Sequence, residues 1–224
     1  MRELVLSIPE LKLYNLVRKQ LTNQFPDDHK INAKILKNCI NKSLIRLRKN
    51  FDKINLKYYT NNQNTVSYFN HLHGDHYSMF LYFISNEAYL SGDEVLASKL
   101  FLLNKCLFSL DVFYSIKLPD HFLFVHPIGT VIGNANFENF FVIYQGVTVG
   151  STNNGLYPNF SNSTILYSNS SIIGECNTGK NFVLGANSSL INTNVLNDKI
   201  VVGNFPNHSI LENKSNLISK YFNI

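Results

Sequence analysis

No window of about 20 apolar residues occurs in the 224 residues, so the sequence offers no membrane-spanning helix. The opening Met-Arg-Glu-Leu-Val-Leu-Ser-Ile-Pro-Glu-Leu lacks the long apolar centre of a secretory signal. Cysteine is scarce. Cys39, Cys106 and Cys176 form an odd set without paired spacing, which argues against a disulfide framework and predicts buried or free thiols in a reducing, cytoplasmic setting. The Asn-x-Ser/Thr triplets, such as Asn159-Phe160-Ser161, reflect an Asn-rich composition and matter only in a glycosylating pathway. No phosphate loop of the nucleotide type is present, and no nucleic-acid reading motif accompanies the net charge of +5. Acidic residues are few at the start. Residues 1–60 hold 13 Lys/Arg against 5 Asp/Glu, whereas the remainder holds 7 against 10. The basic excess therefore belongs to the N-terminal part. It reads as a solvated helical face or a contact with an anionic partner, with nucleic acid the weakest choice.

What is present falls into three zones, assigned as a helical N-terminal region 1–109, a repeat domain 110–207 and a C-terminal tail or short helix 208–224. In the first zone, residues 8–57 look helical. Pro9 can sit near a helix start after Ser7, and Leu11, Leu13, Leu16, Val17 and Leu21 give an apolar stripe. Pro26-Asp27-Asp28 breaks it. Ile31, Ile35, Leu36, Ile40, Leu44, Ile45 and Leu47 then recur at three- and four-residue steps, predicting an amphipathic helix of about 18 residues. Residues 60–66 are polar and read as a loop. Residues 75–109 are helical again, with a break at Ser91-Gly92-Asp93. Their many Phe and Tyr residues predict packing on several sides.

From about residue 111 the helical period fades. Leu166, Ile172, Thr178, Leu184, Leu190, Leu196 and Val202 lie six apart, and six of the seven are aliphatic. The positions that follow them include Gly179, Gly185 and Gly203. Hexapeptide periodicity predicts a parallel β-helix in which three hexads close one triangular coil. The aliphatic residue points into the prism and glycine permits the tight corner. A β-sandwich, the rival, would show turn signals every 8–12 residues. Residues 151–163 break the period, as a loop leaving a regular scaffold would, and such loops commonly carry function.

Within this zone lies Asp111, then fourteen residues, then His126-Pro-Ile-Gly129-Thr-Val-Ile-Gly133, then Gln145-Gly-Val-Thr148-Val-Gly150-Ser151. That order resembles the hexapeptide-repeat acyltransferases, specifically the serine O-acetyltransferase family, over about residues 74–210. The resemblance implies an α+β chain: an N-terminal helical region followed by a left-handed parallel β-helix. It implies that His126 is the catalytic base and Asp111 its orienting partner, with acetyl-CoA as acyl donor and no metal. An imidazole suits the removal of a hydroxyl proton at neutral pH, and a carboxylate on the other ring nitrogen fixes the tautomer. Fifteen residues at about 18 per turn predict that the two lie close on adjacent coils. Gly185-Ala186-Asn187 and Gly203 are similar to the family's donor-binding corners, and Gly150 and Ser151 are the nearest candidates for meeting the oxyanion.

The chain also departs from that pattern. The family carries Asp immediately before its catalytic His, and this chain has Val125. The family carries Arg-His-Pro in the excursion, and this chain has Leu156-Tyr157-Pro158. Those absent groups hold a charged amino acid. A sugar hydroxyl of a bacterial surface polysaccharide, or of its precursor, is therefore the expected acceptor, with Tyr157 and Gln145 as candidate contacts. Serine, an amino-acid acceptor, is the alternative, and a non-catalytic β-helix scaffold is a second. Sites of this type form between subunits, so a homotrimer or a dimer of trimers is expected. His71-Leu72-His73-Gly74-Asp75-His76 reads as an acceptor contact through Asp75 or His76, a polar cap, or a metal cluster.

Overall fold

The computed structural model describes residues 1–61, 63 and 65–224. Four helices come first: α1 (Glu10–Gln24), α2 (Ala33–Phe51), α3 (Gly74–Leu90) and α4 (Glu94–Phe108). Two of them, α2 and α4, begin at a side-chain cap. Pro9 caps α1, as its fixed φ allows. Asn32 caps α2 by accepting from the N–H groups of Lys34 and Ile35, and Asp93 caps α4 by accepting from Leu96 N–H. Gly92 at φ 82° makes the turn between α3 and α4. The break at Pro26-Asp27-Asp28 and the break at Ser91-Gly92-Asp93 fall where the sequence places them.

Two short strands lie outside that reading. β1 (Glu3–Leu6) pairs in parallel with β2 (Val66–Phe69), so Val66 opens a strand rather than closing a loop. Of the expected loop 60–66, residues 62 and 64 lie outside the described residues.

The burial of α3 sets the helical architecture. Every residue from Asp75 to Ala88 is buried, on all sides of the helix. A helix whose whole circumference is apolar must sit centrally, and Met79-Phe80-Leu81-Tyr82-Phe83-Ile84 makes this one so. Its polar side chains consequently reach backbone. The Tyr82 hydroxyl donates to the Ile116 carbonyl (2.8 Å) and accepts from Leu118 N–H (2.9 Å), and Asn86 donates to the Tyr114 carbonyl (2.7 Å). These bonds clamp the segment that leads into the coils.

The coils are built from β3 (Asp111–Val112), β4 (Phe122–Val125), β5 (Val131–Ile132), β6 (Asn136–Phe137), β7 (Phe141–Tyr144), β8 (Thr148–Gly150), β9 (Asn159–Phe160), β10 (Thr164–Leu166), β11 (Ser171–Ile173), β12 (Asn177–Thr178), β13 (Phe182–Leu184), β14 (Ser189–Ile191) and β15 (Lys199–Val202). They stack as three parallel sheets, ordered β15-β13-β10-β7-β4, β14-β11-β8-β5-β3 and β12-β9-β6. This is a left-handed parallel β-helix of about five turns. Leu166, Ile172, Thr178, Leu184 and Leu190 are buried in the prism as the hexad predicts.

The last two repeats correct the expected register. Leu196 is 78% exposed and Val202 37%, while Val195 and Val201 fill the core in their place. Val183 pairs with Ile200, seventeen residues on, whereas Ile165 pairs with Val183, eighteen on. One residue is missing from the final coil, and every later side chain shifts by one position.

The end of the chain is neither simple helix nor free tail. β16 (Ser209–Glu212) pairs antiparallel with β15, and a 3₁₀ turn (Leu217–Lys220) follows. The tail then returns to the helical region. Asn55 N–H donates to the Tyr221 carbonyl (2.7 Å), Asn223 N–H donates to the Lys53 carbonyl (2.7 Å), and Phe222 bridges Ile54. Among the described residues no helix is long and apolar enough to cross a membrane.

Candidate active site on the prism edge

His126 sits on the corner between β4 and β5. In the later coils this corner has three residues, as in Gln145-Gly146-Val147 between Tyr144 and Thr148. Here five residues, 126–130, separate Val125 from Val131, although Val125 pairs with Tyr144 and Val131 with Thr148. The corner therefore bulges, and His126 adopts φ 48° while Gly129 adopts φ 71°. The imidazole is thrown outward, and the side chain is 74% exposed.

The open end of the α3–α4 hairpin holds this bulge from both sides. Gly129 N–H donates to the Ser109 carbonyl at the end of α4 (3.1 Å). His126 N–H donates to Oδ1 of Asp75 in the first turn of α3 (3.0 Å), and the same oxygen lies 3.8 Å from His126 Nδ1. Asp75 itself is only 8% exposed. Burial pushes its carboxyl above the usual range, against the opposing pull of the His126 N–H bond and of the His73 and His126 rings.

Asp111 stands differently from expectation. Asp111 pairs with Val131, twenty residues on, rather than with His126. Its Oδ2 takes the Lys105 ammonium at 2.6 Å, and among the described residues it forms no ion pair or hydrogen bond with His126. The His126 ring thus has its carboxylate neighbour on a helix and not on the preceding coil.

His76, expected at the acceptor, is fully buried. Phe51, Tyr59, Phe69 and His73 surround its ring, and its Nδ1 accepts from Asn70 N–H (3.1 Å). Burial lowers its pKa to about 2, so it stays neutral. It is a core residue and cannot touch an acceptor. His71 is hydrogen-bonded to Ser7 (2.8 Å), and among the described residues no group of three His, Cys, Asp or Glu is placed to hold a metal ion.

The remaining expected residues divide between two edges of the prism. Gln145 follows Tyr144, the partner of Val125, and Gly146 N–H donates to the Ile128 carbonyl (2.9 Å), so Gln145 stacks on Ile128 beside the His126 bulge. The next coils add Ser168, then Gly185-Ala186-Asn187, and Gly203 stacks on Ala186. At ~4.8 Å per coil, Ala186 lies about 14 Å along the edge from His126. Ala186, Asn187 and Gly203 are exposed. At Gly185 the stack leaves little room, since a Cβ there would come 3.1 Å from Val202 Cγ1 and 3.2 Å from the Val201 carbonyl. Gly150 ends β8 and Ser151 follows it on the next corner of the same chain, where the 151–158 excursion carries a half-exposed Tyr157.

A tyrosine cluster beside the His126 edge escaped the sequence reading. Tyr144 stacks on Val125, its ring is 5.2 Å from Tyr167, and its hydroxyl meets that of Tyr221 at 2.8 Å. Burial raises the pKa of both Tyr144 and Tyr221. Two of the three could have been found from Tyr144 and Tyr167 holding equivalent positions in successive coils. Tyr221 arrives from the far end of the chain, with no local signal.

No protein-family model matches the sequence, and no curated protein is similar to it by sequence. Solved structures are similar in fold. The serine acetyltransferase from Vibrio cholerae O1 biovar El Tor N16961 has a TM-score of 0.69 at 16% identity, covering 94% of this chain and 83% of that one. The serine acetyltransferase in complex with coenzyme A from Brucella abortus strain S19 has a TM-score of 0.67 at 16% identity, covering 92% and 83%. The Neisseria gonorrhoeae serine acetyltransferase in complex with serine has a TM-score of 0.64 at 20% identity, covering 85% and 81%. The chain shares the fold of serine acetyltransferases, helices followed by a left-handed parallel β-helix, across most of its length.

Proposed function

We propose that the protein is an acetyl-CoA-dependent O-acetyltransferase with His126 as general base. The observation that carries this reading is the exposed His126 imidazole on a lengthened corner, with a buried carboxylate at its back. Nε2 would take the proton of an acceptor hydroxyl as the oxygen attacks the thioester carbonyl, and the coenzyme A thiolate leaves and is reprotonated by the imidazolium. The exposed backbone of Ala186, Asn187 and Gly203 along the same edge suits the amides of an extended pantetheine arm. Gly150 and Ser151 sit on the neighbouring edge, so they meet the reaction only if a second copy brings that edge across. The exposed Ile128 and Val131, next to His126, fit a trimer seam of that kind.

The acceptor proposed is an uncharged sugar hydroxyl, as in a surface polysaccharide or its precursor. Support comes from Val125, Leu156 and Tyr157, which leave no charged group where the resemblance calls for Asp and Arg, and from the tyrosine hydroxyls beside the edge. Serine is the second reading, favoured by the fold shared with a serine acetyltransferase holding serine. Thiol release from acetyl-CoA with a panel of sugars and with serine tests both. The expected result is release with a sugar, lost by about 10²- to 10⁴-fold in His126→Ala. Equal release with serine overturns the sugar assignment. Release undiminished in His126→Ala overturns the assignment of the base, and no release with any acceptor points to a scaffold.

A further inference from the structure

The geometry points to Asp75 as the positioning residue for His126, replacing Asp111 in that part; the inference rests on His126 being the base proposed above. Three observations converge. The Asp75 carboxylate is the only acidic group within 4.0 Å of the His126 ring among the described residues. Its Oδ1 already accepts the His126 N–H at 3.0 Å, which pins the backbone in the left-handed conformation that turns the ring outward. Asp111, the carboxylate that the resemblance implies for this part, is occupied by Lys105 at 2.6 Å.

Asp75 is also firmly held. It lies in the first turn of α3, whose entire face is buried, so the carboxylate cannot swing away. The ring, by contrast, is free in solvent. A small rotation about the His126 side chain closes the present 3.8 Å separation into a hydrogen bond from Nδ1–H to Oδ1. That bond leaves the Nε2 lone pair facing outward, toward the hydroxyl whose proton it must take. As the ring becomes imidazolium, Asp75 stands as the counter-charge in a setting with little water, where the attraction is strongest. The proton moves from the acceptor oxygen to Nε2, and Nδ1 keeps its own throughout. The orienting carboxylate expected from the coil at Asp111 is thus supplied from the helix.

The test reads the tautomer first, because that readout needs no substrate. In protein labelled with ¹⁵N-histidine, the neutral His126 ring is expected to carry its proton on Nδ1. Asp75→Asn removes the charge but keeps an oxygen to accept His126 N–H, so the corner survives. In that variant the Nε2–H form is expected to appear, whereas Asp111→Asn leaves the tautomer as in the wild type. A wild-type ring protonated on Nε2, or a tautomer that moves in Asp111→Asn and not in Asp75→Asn, overturns the proposal. In turnover, Asp75→Asn is expected to lower kcat about 10²-fold with the KM for acetyl-CoA unmoved. A rise in the KM for the acceptor at constant kcat marks Asp75 as an acceptor contact and defeats the positioning role. Absence of turnover in the wild type defeats the acetyl-transfer reading instead, and the tautomer then decides the role of Asp75 by itself.

Discussion

Asp75 pays twice for its position. Burial makes its carboxyl harder to ionise, and this outweighs the His126 N–H bond and the two nearby imidazoles. A carboxyl whose folded pKa is raised above its unfolded value favours the fold only while protonated. Its contribution is complete below the usual carboxylate range near ~4 and is lost as the pH climbs through the raised folded value. At pH 7 the buried carboxyl therefore leaves the fold weaker than a neutral side chain of the same shape would. Asp75→Asn should melt at a higher temperature than the wild type at pH 7, with the gap closing at about pH 3, while its kcat falls. Thermal melts at the two pH values decide this, and a variant that melts lower at pH 7 refutes it. Such an exchange of stability for activity is common where a charge is held for chemistry. The importance of Asp75 was partly legible. The dense His71–His76 segment is conspicuous in the sequence, and the six-residue apolar run that follows it signals a central helix. The partner of Asp75 was not legible, because Asp75 and His126 are brought together by the docking of a helix end on a coil corner, and no spacing rule connects them.

At the scale of the strand and the coil, the hexad period foresaw the prism and its inward face through Leu190, then lost the register. The period carries no mark of a coil that is one residue short, because Leu196 and Val202 are as apolar as Val195 and Val201. Only the stacking of whole strands decides which of each pair turns inward. The two choices predict opposite mutants. Val195→Ala should cost about 2 kcal/mol, the loss of two buried methyl groups plus a small cavity. Leu196→Ala, at a side chain 78% exposed, should stay within about 0.5 kcal/mol of the wild type. Urea unfolding measures both, and a larger loss in Leu196→Ala would restore the unbroken six-residue register. The same blindness to coil length misplaced Asp111. Fifteen residues suggested neighbours on adjacent coils, but the register partner of Asp111 lies a full turn on, at Val131, five residues past His126.

Over the whole molecule, the helices and the prism share one buried core, and the tail fastens them a second time. Tyr82 and Phe83 of α3 pack on Phe122 of β4, with ring centres 5.7 and 5.4 Å apart. Asn50 at the end of α2 accepts from Phe122 N–H (3.3 Å). On the other side Phe222 is buried between Ile54 of the helical region and Phe140 of the coil, its ring 5.4 Å from that of Phe140. Removing this ring leaves a cavity at the junction and uncouples the tail from both partners. Phe222→Ala should therefore lose about 3–5 kcal/mol. Because Tyr221 then loses its anchor on Tyr144, the Tyr144 side of the His126 edge should loosen with it, seen as faster amide exchange at Tyr144 and Tyr167. The joint between helices and prism also contains the Asp75–His126 contact. If the tail contributes to holding that joint, the variant should lose turnover before it loses the fold, at temperatures where far-UV circular dichroism is still native. Turnover that persists unchanged up to the melting transition would show that α3 alone fixes Asp75 against the corner.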